Sequence, residues 1–126
     1  YSYNNKSINY INSSLARISL ELIDLSLNFK PIENDQFKIN IRGQEIIYKN
    51  QNFIFQETKV PAKPRNGKTS IRVLLDRSSI EIYVNEGENV MTSYAVSNKK
   101  DKDLSLSSNR NMKVNLEINE LNSSWE

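Results

Sequence analysis

The sequence predicts an all-β fold in which two antiparallel sheets pack face to face as a β-sandwich. Apolar residues recur at every second position in about ten short stretches, which is typical of strands with one buried face. Glycine, proline, asparagine and aspartate separate these stretches, as turns require, and no stretch makes a convincing helix. Short strands without helices bury their apolar faces against a second sheet.

Length and composition indicate one domain. With 126 residues, of which 37% are hydrophobic, the chain is long enough for one core and too short for two. We expect a linker or edge segment over residues 1–14, with a short edge strand near Ile8, and the β-sandwich domain over residues 15–126. No leader and no apolar run long enough to cross a bilayer is visible, so neither a signal peptide nor a membrane span is expected.

The charges predict neither nucleic-acid binding nor a metal site. The net charge is +2, and the densest basic stretch, residues 59–77, lacks interleaved aromatics, so it is interpreted as a solvated loop with strand edges. There is no His and no Cys, which excludes disulfides, thiolate sites and the usual zinc ligand. Asp101 and Asp103 beside Asn98 are poor calcium ligands among three lysines. No cofactor is expected.

Two interpretations compete between residues 15 and 29. Alternation over residues 18–22 shifts phase before residues 25–29, which predicts a strand with a bulge or bend near Ile23 and Asp24. Leucine and isoleucine also recur at helical spacing in this stretch. The strand is favoured because the alternation is sustained and the surroundings are β-rich.

Clean alternation predicts a strand over residues 37–41, ending at a tight turn at Gly43. A hairpin of residues 45–49 and 53–57 follows. Residues 60–67 contain two prolines and a glycine and are predicted to form a loop.

Residues 69–84 carry the clearest pattern. The apolar alternation of residues 71–75 changes phase at residues 80–84, and a reversal of the chain at residues 76–79 explains the change. Arg77-Ser78 is not a preferred two-residue turn, so a looser turn or a bulge is expected. The predicted pairs are Leu75 with Ile80, Val73 with Ile82 and Ile71 with Val84 on the core face, and Leu74 with Glu81 and Arg72 with Tyr83 on the other face.

A second reversal is expected at residues 85–88, where Gly87 can take a positive φ. The next strand, residues 90–96, is predicted to bury Val90, Thr92, Tyr94 and Val96, and the opposite phase through Met91 and Ala95 stays open. Further strands are predicted around Leu104 and Leu106 and over residues 112–118.

The string LLDRSSIEIYVNEGENVMTSYAV resembles the "VDRSSVEVFxNDGxxxxTS" segment of the C-terminal β-sandwich of glycoside hydrolase family 32, the levanases, inulinases and invertases. The ending NLEINELNSSWE is similar to the family's "xxxLxSxW" terminus, and the resemblance covers roughly residues 15–125. It implies a jelly-roll sandwich of the concanavalin A type. The motif residues, to which we assign a structural role, are Asp76, Arg77, Ser78, Ser79, Glu81, Asn85 and Gly87.

Asp76 and Glu81 are the pair to test for catalysis, because a glycosidase needs two carboxylates about 5–10 Å apart around one bond. Nothing in the sequence builds a pocket around them. We expect Asp76 to cap the turn and Glu81 to form an exposed ion pair with Arg72.

The family's catalytic motifs, "WMNDPNG", "RDP" and "EC", lie in an N-terminal five-bladed propeller and do not occur in this chain. The resemblance therefore implies the non-catalytic module of a fructan or sucrose hydrolase, with the propeller as its intramolecular partner. The substrate of that enzyme stays open among levan, inulin, sucrose and sucrose phosphate. Secretion is favoured if the substrate is a polymeric fructan.

A carbohydrate-binding module is the alternative function, with a fructan or oligosaccharide as partner. Tyr83, Tyr48 and Trp125 are the candidates for stacking on a sugar ring. The alternative is that each side chain packs within the fold: Tyr83 against Arg72, Tyr48 over a hairpin, and Trp125 at the end of the sandwich.

Overall fold

A computed structural model describes residues 1–16, 22–76, 79–93 and 104–120 and confirms the predicted two-sheet antiparallel sandwich. The six-stranded sheet has the order β1-β11-β2-β7-β8-β9, and the five-stranded sheet has the order β10-β3-β4-β5-β6. The elements in chain order are β1 (Ser2–Ser7), α1 (Ile8–Leu15), β2 (Ile23–Phe29), β3 (Phe37–Ile41), β4 (Gln44–Lys49), β5 (Asn52–Phe55), β6 (Thr58–Pro61), β7 (Thr69–Leu75), β8 (Ile80–Val84), β9 (Asn89–Ser93), β10 (Leu104–Ser108) and β11 (Lys113–Glu120).

The core lies between the sheets and takes every second residue of most strands. Leu25, Val73 and Ile82 of the six-stranded sheet are fully buried, as are Ile39 and Ile46 of the five-stranded sheet. Burying one such side chain stabilises the fold by about 1.5–3 kcal/mol. An aromatic cluster fills one end of this core, where the Phe29 ring stacks on another phenylalanine and contacts two further rings edge-on.

The hairpin of β7 and β8 has the predicted register at all five pairs, from Ile71 opposite Val84 to Leu75 opposite Ile80. The backbone N–H of Asp76 donates to the carbonyl of Ser79 over 2.9 Å and closes the hairpin. Arg77 and Ser78, where a bulge was expected, lie outside the described residues.

The predicted core face of β9 is wrong. Met91 is buried opposite Ile82, whereas Val90 is half exposed opposite Tyr83 on the outer face. The number of residues in the turn before β9 sets this phase, because it decides which residue of β9 meets each residue of β8. Tyr94 and Val96 lie outside the described residues.

The linker or edge segment expected over residues 1–14 forms an edge strand, β1, which ends just before Ile8, and most of the helix α1. Strand β1 pairs with β11, and Ile8 begins α1, whose Ser7 cap accepts a hydrogen bond from the Tyr10 backbone N–H over 3.1 Å. Ile8, Ile11 and Leu15 are buried, which fits one face of a helix. The expectation of no helix fails because only three apolar residues mark this face.

The strand predicted over residues 15–29 is observed as β2 from Ile23, whereas Leu15 belongs to α1 and residues 17–21 lie outside the described residues. The other strand predictions hold with changed boundaries. Strand β2 begins at Ile23 and is regular through Phe29, and the phase change falls at Leu22, just before the strand. Strand β6 (Thr58–Pro61) begins the stretch that was predicted to be a loop, and it pairs with β5. No helix of the described residues is long and apolar enough to span a membrane.

Candidate functional site

The outward side chains of the six-stranded sheet form a mostly polar surface, which we call the outer face. Antiparallel partners share a face, so the register places these side chains in rows across the strands. The middle row is Glu117, Ser26, Arg72, Tyr83 and Val90; a second row is Asn119, Asp24, Leu74, Glu81 and Thr92; a third is Asn115, Asn28 and Ser70.

A cavity of about 400 Å³ lies on the outer face, and we call it the outer groove. Strands β2, β7 and β8 form its floor, and the turn after β8 contributes its rim. Side chains of several chemical kinds meet there: hydroxyls, an amide, a guanidinium, a carboxylate and a phenol ring. The polar residues that line it are Ser26, Asn28, Ser70, Arg72, Tyr83 and Glu86.

Arg72 of the groove forms its ion pair with Asp24 and not, as predicted, with Glu81. Arg72 donates from Nε and Nη2 to the two carboxylate oxygens of Asp24 over 2.9 and 2.6 Å. These bonds from Arg72 lower the pKa of Asp24, and they raise the pKa of Arg72 in return. The sequence hides this pair because β2 and β7 are neighbours only in the folded chain.

Glu81 accepts a hydrogen bond from the Tyr83 hydroxyl, its neighbour along β8 on the same face. This bond to the carboxylate raises the pKa of Tyr83, because the protonated phenol is the form that can donate. The hydroxyl end of the Tyr83 side chain is therefore held in place by Glu81. Asp76 is exposed beside the turn, and neither Asp76 nor Glu81 lines the outer groove.

The three aromatic candidates have different positions. Tyr83 is partly exposed and lines the groove. Tyr48 is 4% exposed, donates its hydroxyl proton to the Ala62 carbonyl over 2.9 Å and packs on Phe29 and Phe53, so its ring has no face free for a sugar. Burial raises the pKa of Tyr48. Trp125 lies outside the described residues.

Comparison with protein families identifies the chain. The family described as "Glycosyl hydrolases family 32 C terminal" matches residues 4–122. This chain belongs to that family.

Individual relatives agree with this assignment. The family 32 C-terminal domain described here is 39% identical over 67 residues to the levanase of Bacillus subtilis (strain 168), a match that covers 52% of this chain and 10% of the levanase. It superposes on the sucrose-6-phosphate hydrolase of Lactobacillus gasseri with a TM-score of 0.69 at 12% identity, over 97% of this chain and 29% of the hydrolase. The chain thus spans less than a third of either relative.

A wider set of solved structures shares only the sandwich fold. Sheep galectin-11 superposes with a TM-score of 0.56 at 11% identity, over 81% of this chain and 93% of the galectin. The alginate lyase A1-II′ superposes with a TM-score of 0.53 at 6% identity, over 88% of this chain and 68% of the lyase. At such low sequence identity, these superpositions show only that the fold is shared. They give no information about the ligand of this domain.

The motif residue Asn85 shapes the turn beside the groove. Its buried amide accepts a bond from the Ser70 N–H over 3.1 Å and donates to the Lys63 carbonyl over 3.0 Å. Asn85 and Gly87 both have positive φ, 48° and 90°, which asparagine and glycine tolerate best. These two residues of the family 32 C-terminal domain therefore set the rim of the groove.

Sequence reasoning missed Asp24, Ser26, Asn28 and Glu86 as residues of this surface. The signal for the β2 residues was present, because polar residues alternate with buried ones along Ile23–Phe29. What the sequence did not reveal was which strand is the neighbour of β2 in the sheet.

Within the described residues of the family 32 C-terminal domain, no group of three His, Cys, Asp or Glu residues could hold a metal ion.

Proposed function

We propose that this chain is the non-catalytic C-terminal module of a fructan- or sucrose-hydrolysing family 32 enzyme. It packs on and stabilises an N-terminal catalytic five-bladed propeller. One observation carries the proposal: the family match takes up residues 4–122, whereas the chain covers 29% of the sucrose-6-phosphate hydrolase and 10% of the levanase. Most residues of such an enzyme, among them those of its catalytic domain, would therefore lie outside this chain.

The chemistry of the module supports a non-catalytic role. Glycoside hydrolysis requires two carboxylates that face one bond inside a cleft. Glu81 is engaged with Tyr83, and Asp76 lies outside the outer groove beside the hairpin turn. Asp24, a further carboxylate near the groove floor, is paired with Arg72. This pairing lowers the pKa of Asp24, whereas a group that protonates a leaving group needs a raised pKa.

Aliphatic side chains on the outer surfaces support packing on another domain. Ile47 of β4 lies opposite Ile54 of β5 on the outside of the five-stranded sheet, and both are only partly buried. On the other sheet, Leu74 is partly buried and Val90 is 50% exposed. Interfaces between domains of one chain bury about 600–1,500 Å², which a sandwich of this size can provide.

The test compares the full-length enzyme that carries this module with the same enzyme truncated before Tyr1. We expect the truncated form to inactivate at a lower temperature, because it lacks the stabilising interface. Its kcat and KM on levan and sucrose should stay close to those of the full-length enzyme below that temperature. Equal thermal inactivation of the two forms would contradict the stabilising role.

A second assay tests the absence of catalysis directly. The 126-residue chain is incubated with levan, inulin and sucrose, and released fructose is measured beside a Glu81→Gln variant. We expect no fructose from either protein. Fructose released by the chain and lost in the variant would show that the hydrolytic site lies in this module.

A further inference from the structure

The outer groove has features that a stabilising role does not require. It combines one aromatic side chain, Tyr83, with hydroxyl, amide and guanidinium groups within a cavity of about 400 Å³. This volume falls within the range of small-molecule sites. Sugar rings are recognised by such a combination, because an aromatic ring covers the apolar C–H side of the sugar while polar groups bond its hydroxyls.

The polar groups of the groove are held in place before any ligand arrives. Arg72 is fixed by two bonds to Asp24, and Tyr83 is fixed through its hydroxyl by Glu81. Asn28 accepts a bond of 2.8 Å from the Asn115 amide, which orients the Asn28 N–H groups. Side chains ordered in advance lose less conformational entropy when they bind, so even a shallow groove can hold a ligand.

The charge around the groove selects for a neutral ligand. Among the described residues that line it, Arg72 and Glu86 carry the charges. Asp24 already neutralises the Arg72 guanidinium, so the carboxylate of Glu86 leaves the lining of the groove negative. A phosphate or a uronate would meet net repulsion there, whereas an uncharged polyol would not.

We propose that the outer groove binds a neutral oligosaccharide, with one sugar ring stacked on Tyr83 and its hydroxyls bonded by Arg72, Asn28 and Ser70. This proposal does not rest on the proposed stabilising role, because the 126-residue chain can be titrated by itself.

The test is an NMR titration of the ¹⁵N-labelled 126-residue chain with fructo-oligosaccharides prepared from levan and from inulin. We expect saturable shifts at the backbone amides of Ser26, Asn28, Arg72, Tyr83 and Gly87, with a dissociation constant in the millimolar range. Oligogalacturonate and inorganic phosphate serve as anionic probes and should leave these amides unmoved. Absence of saturable shifts with both neutral probes up to about 10 mM would overturn the proposal. Shifts that map outside the groove, or binding of the anions in preference, would also overturn it.

Variants identify the contribution of the ring. Tyr83→Ala should weaken binding about tenfold, whereas Tyr83→Phe, which keeps the ring and loses the bond to Glu81, should stay within about threefold. Tyr10→Ala is the matched control, because Tyr10 is 56% exposed on α1 and does not line the groove. Dispersed spectra of all three variants establish that they are folded. An equal loss in Tyr10→Ala, or full binding by Tyr83→Ala, would contradict a site at Tyr83.

Discussion

Asn85 connects three segments of the chain through one buried side chain. Its amide joins the start of β7 at Ser70 to the loop at Lys63, and its own backbone N–H donates to the Ser70 carbonyl over 2.9 Å. Asparagine suits this position for two separate reasons, because it carries both a donor and an acceptor and also tolerates the left-handed backbone region.

Asn85→Ala is expected to lower the free energy of unfolding by about 2–4 kcal/mol. The variant leaves the part-buried Ser70 N–H and Lys63 carbonyl without their partner and adds backbone strain at positive φ. Denaturant unfolding measures the change. Asn50→Ala is the matched control for strain alone, because Asn50 is exposed and has nearly the same φ, 51° against 48°. If the two variants lost equal stability, the hydrogen bonds of Asn85 would contribute nothing.

The pair of Asp24 and Arg72 makes stability depend on pH. Because the pKa of Asp24 is lowered in the folded state from its usual 3.8, the pair contributes fully above that value. The contribution is lost as the pH falls through the lower folded-state pKa. Arg72 is 55% exposed and Asp24 20%, so solvent screening keeps the contribution below about 1 kcal/mol.

Asp24→Asn should therefore be less stable than the parent chain at neutral pH and equally stable well below pH 3.8. Urea midpoints at both pH values measure this difference. Glu45→Gln is the control, since Glu45 forms an exposed pair with Lys38 at 3.7 Å and should change the midpoint little at either pH. A deficit in Asp24→Asn that persisted in acid would show that the ion pair is not its cause.

At the scale of elements, α1 covers the edge of β10, the outermost strand of the five-stranded sheet. The Asn12 amide donates to the Leu106 carbonyl over 2.7 Å, and the Leu106 N–H donates back to Asn12 over 2.9 Å. One side chain thus satisfies both backbone groups of a residue on an edge strand. Open edges pair with other chains, so we expect this contact to protect the chain from association.

Asn12→Ala should destabilise the chain by about 1–3 kcal/mol and increase its self-association. Hydrogen exchange at the Leu106 amide and sedimentation velocity measure the two effects. Asn9→Ala provides a control on the same helix, because Asn9 is exposed and the substitution changes helix propensity equally. Unchanged protection of the Leu106 amide in Asn12→Ala would show that the side chain does not cap this edge.

At the scale of the whole molecule, described segments cover two opposite sides of the core that lies between the sheets. On one side, β6 and β9 approach each other: Asn89 donates to the Pro61 carbonyl over 3.1 Å, and Arg65 pairs with Glu88. On the other side, β1 and α1 cover the core with Tyr3, Ile8, Ile11 and Leu15, all of them buried. The segment over residues 1–15 therefore belongs to the packed core of the described structure.

Deletion of residues 1–14 tests the predicted domain boundary after residue 14. If that segment is a linker, the shortened chain should unfold at the same denaturant concentration as the parent. We expect instead that cooperative unfolding is lost. The deletion removes strand β1 and three buried apolar side chains worth about 1.5–3 kcal/mol each, against a total stability of about 5–15 kcal/mol. Deletion of residues 1 and 2 alone, which are exposed, is the control.

Prediction from sequence succeeded where neighbours in space are also neighbours along the chain. The register of β7 and β8 follows from the alternation on either side of one short turn, and Gly87 has the positive φ expected of it. The family followed from the same local string. Helix α1 was missed because its three apolar residues are a weak periodic signal, and the phase of β9 was wrong because one turn residue reverses it.

By itself, the sequence determined the fold class, the central hairpin and the family of this protein. Only the tertiary structure decided that Arg72 pairs with Asp24, that Tyr48 is buried while Tyr83 lines a groove, and that α1 covers β10. The physical reason is the range of the interactions. A hairpin is specified by the residues on either side of its turn, whereas the neighbours of β2 and β10 are chosen by competition among all strands of the sandwich, which leaves no local mark in the sequence.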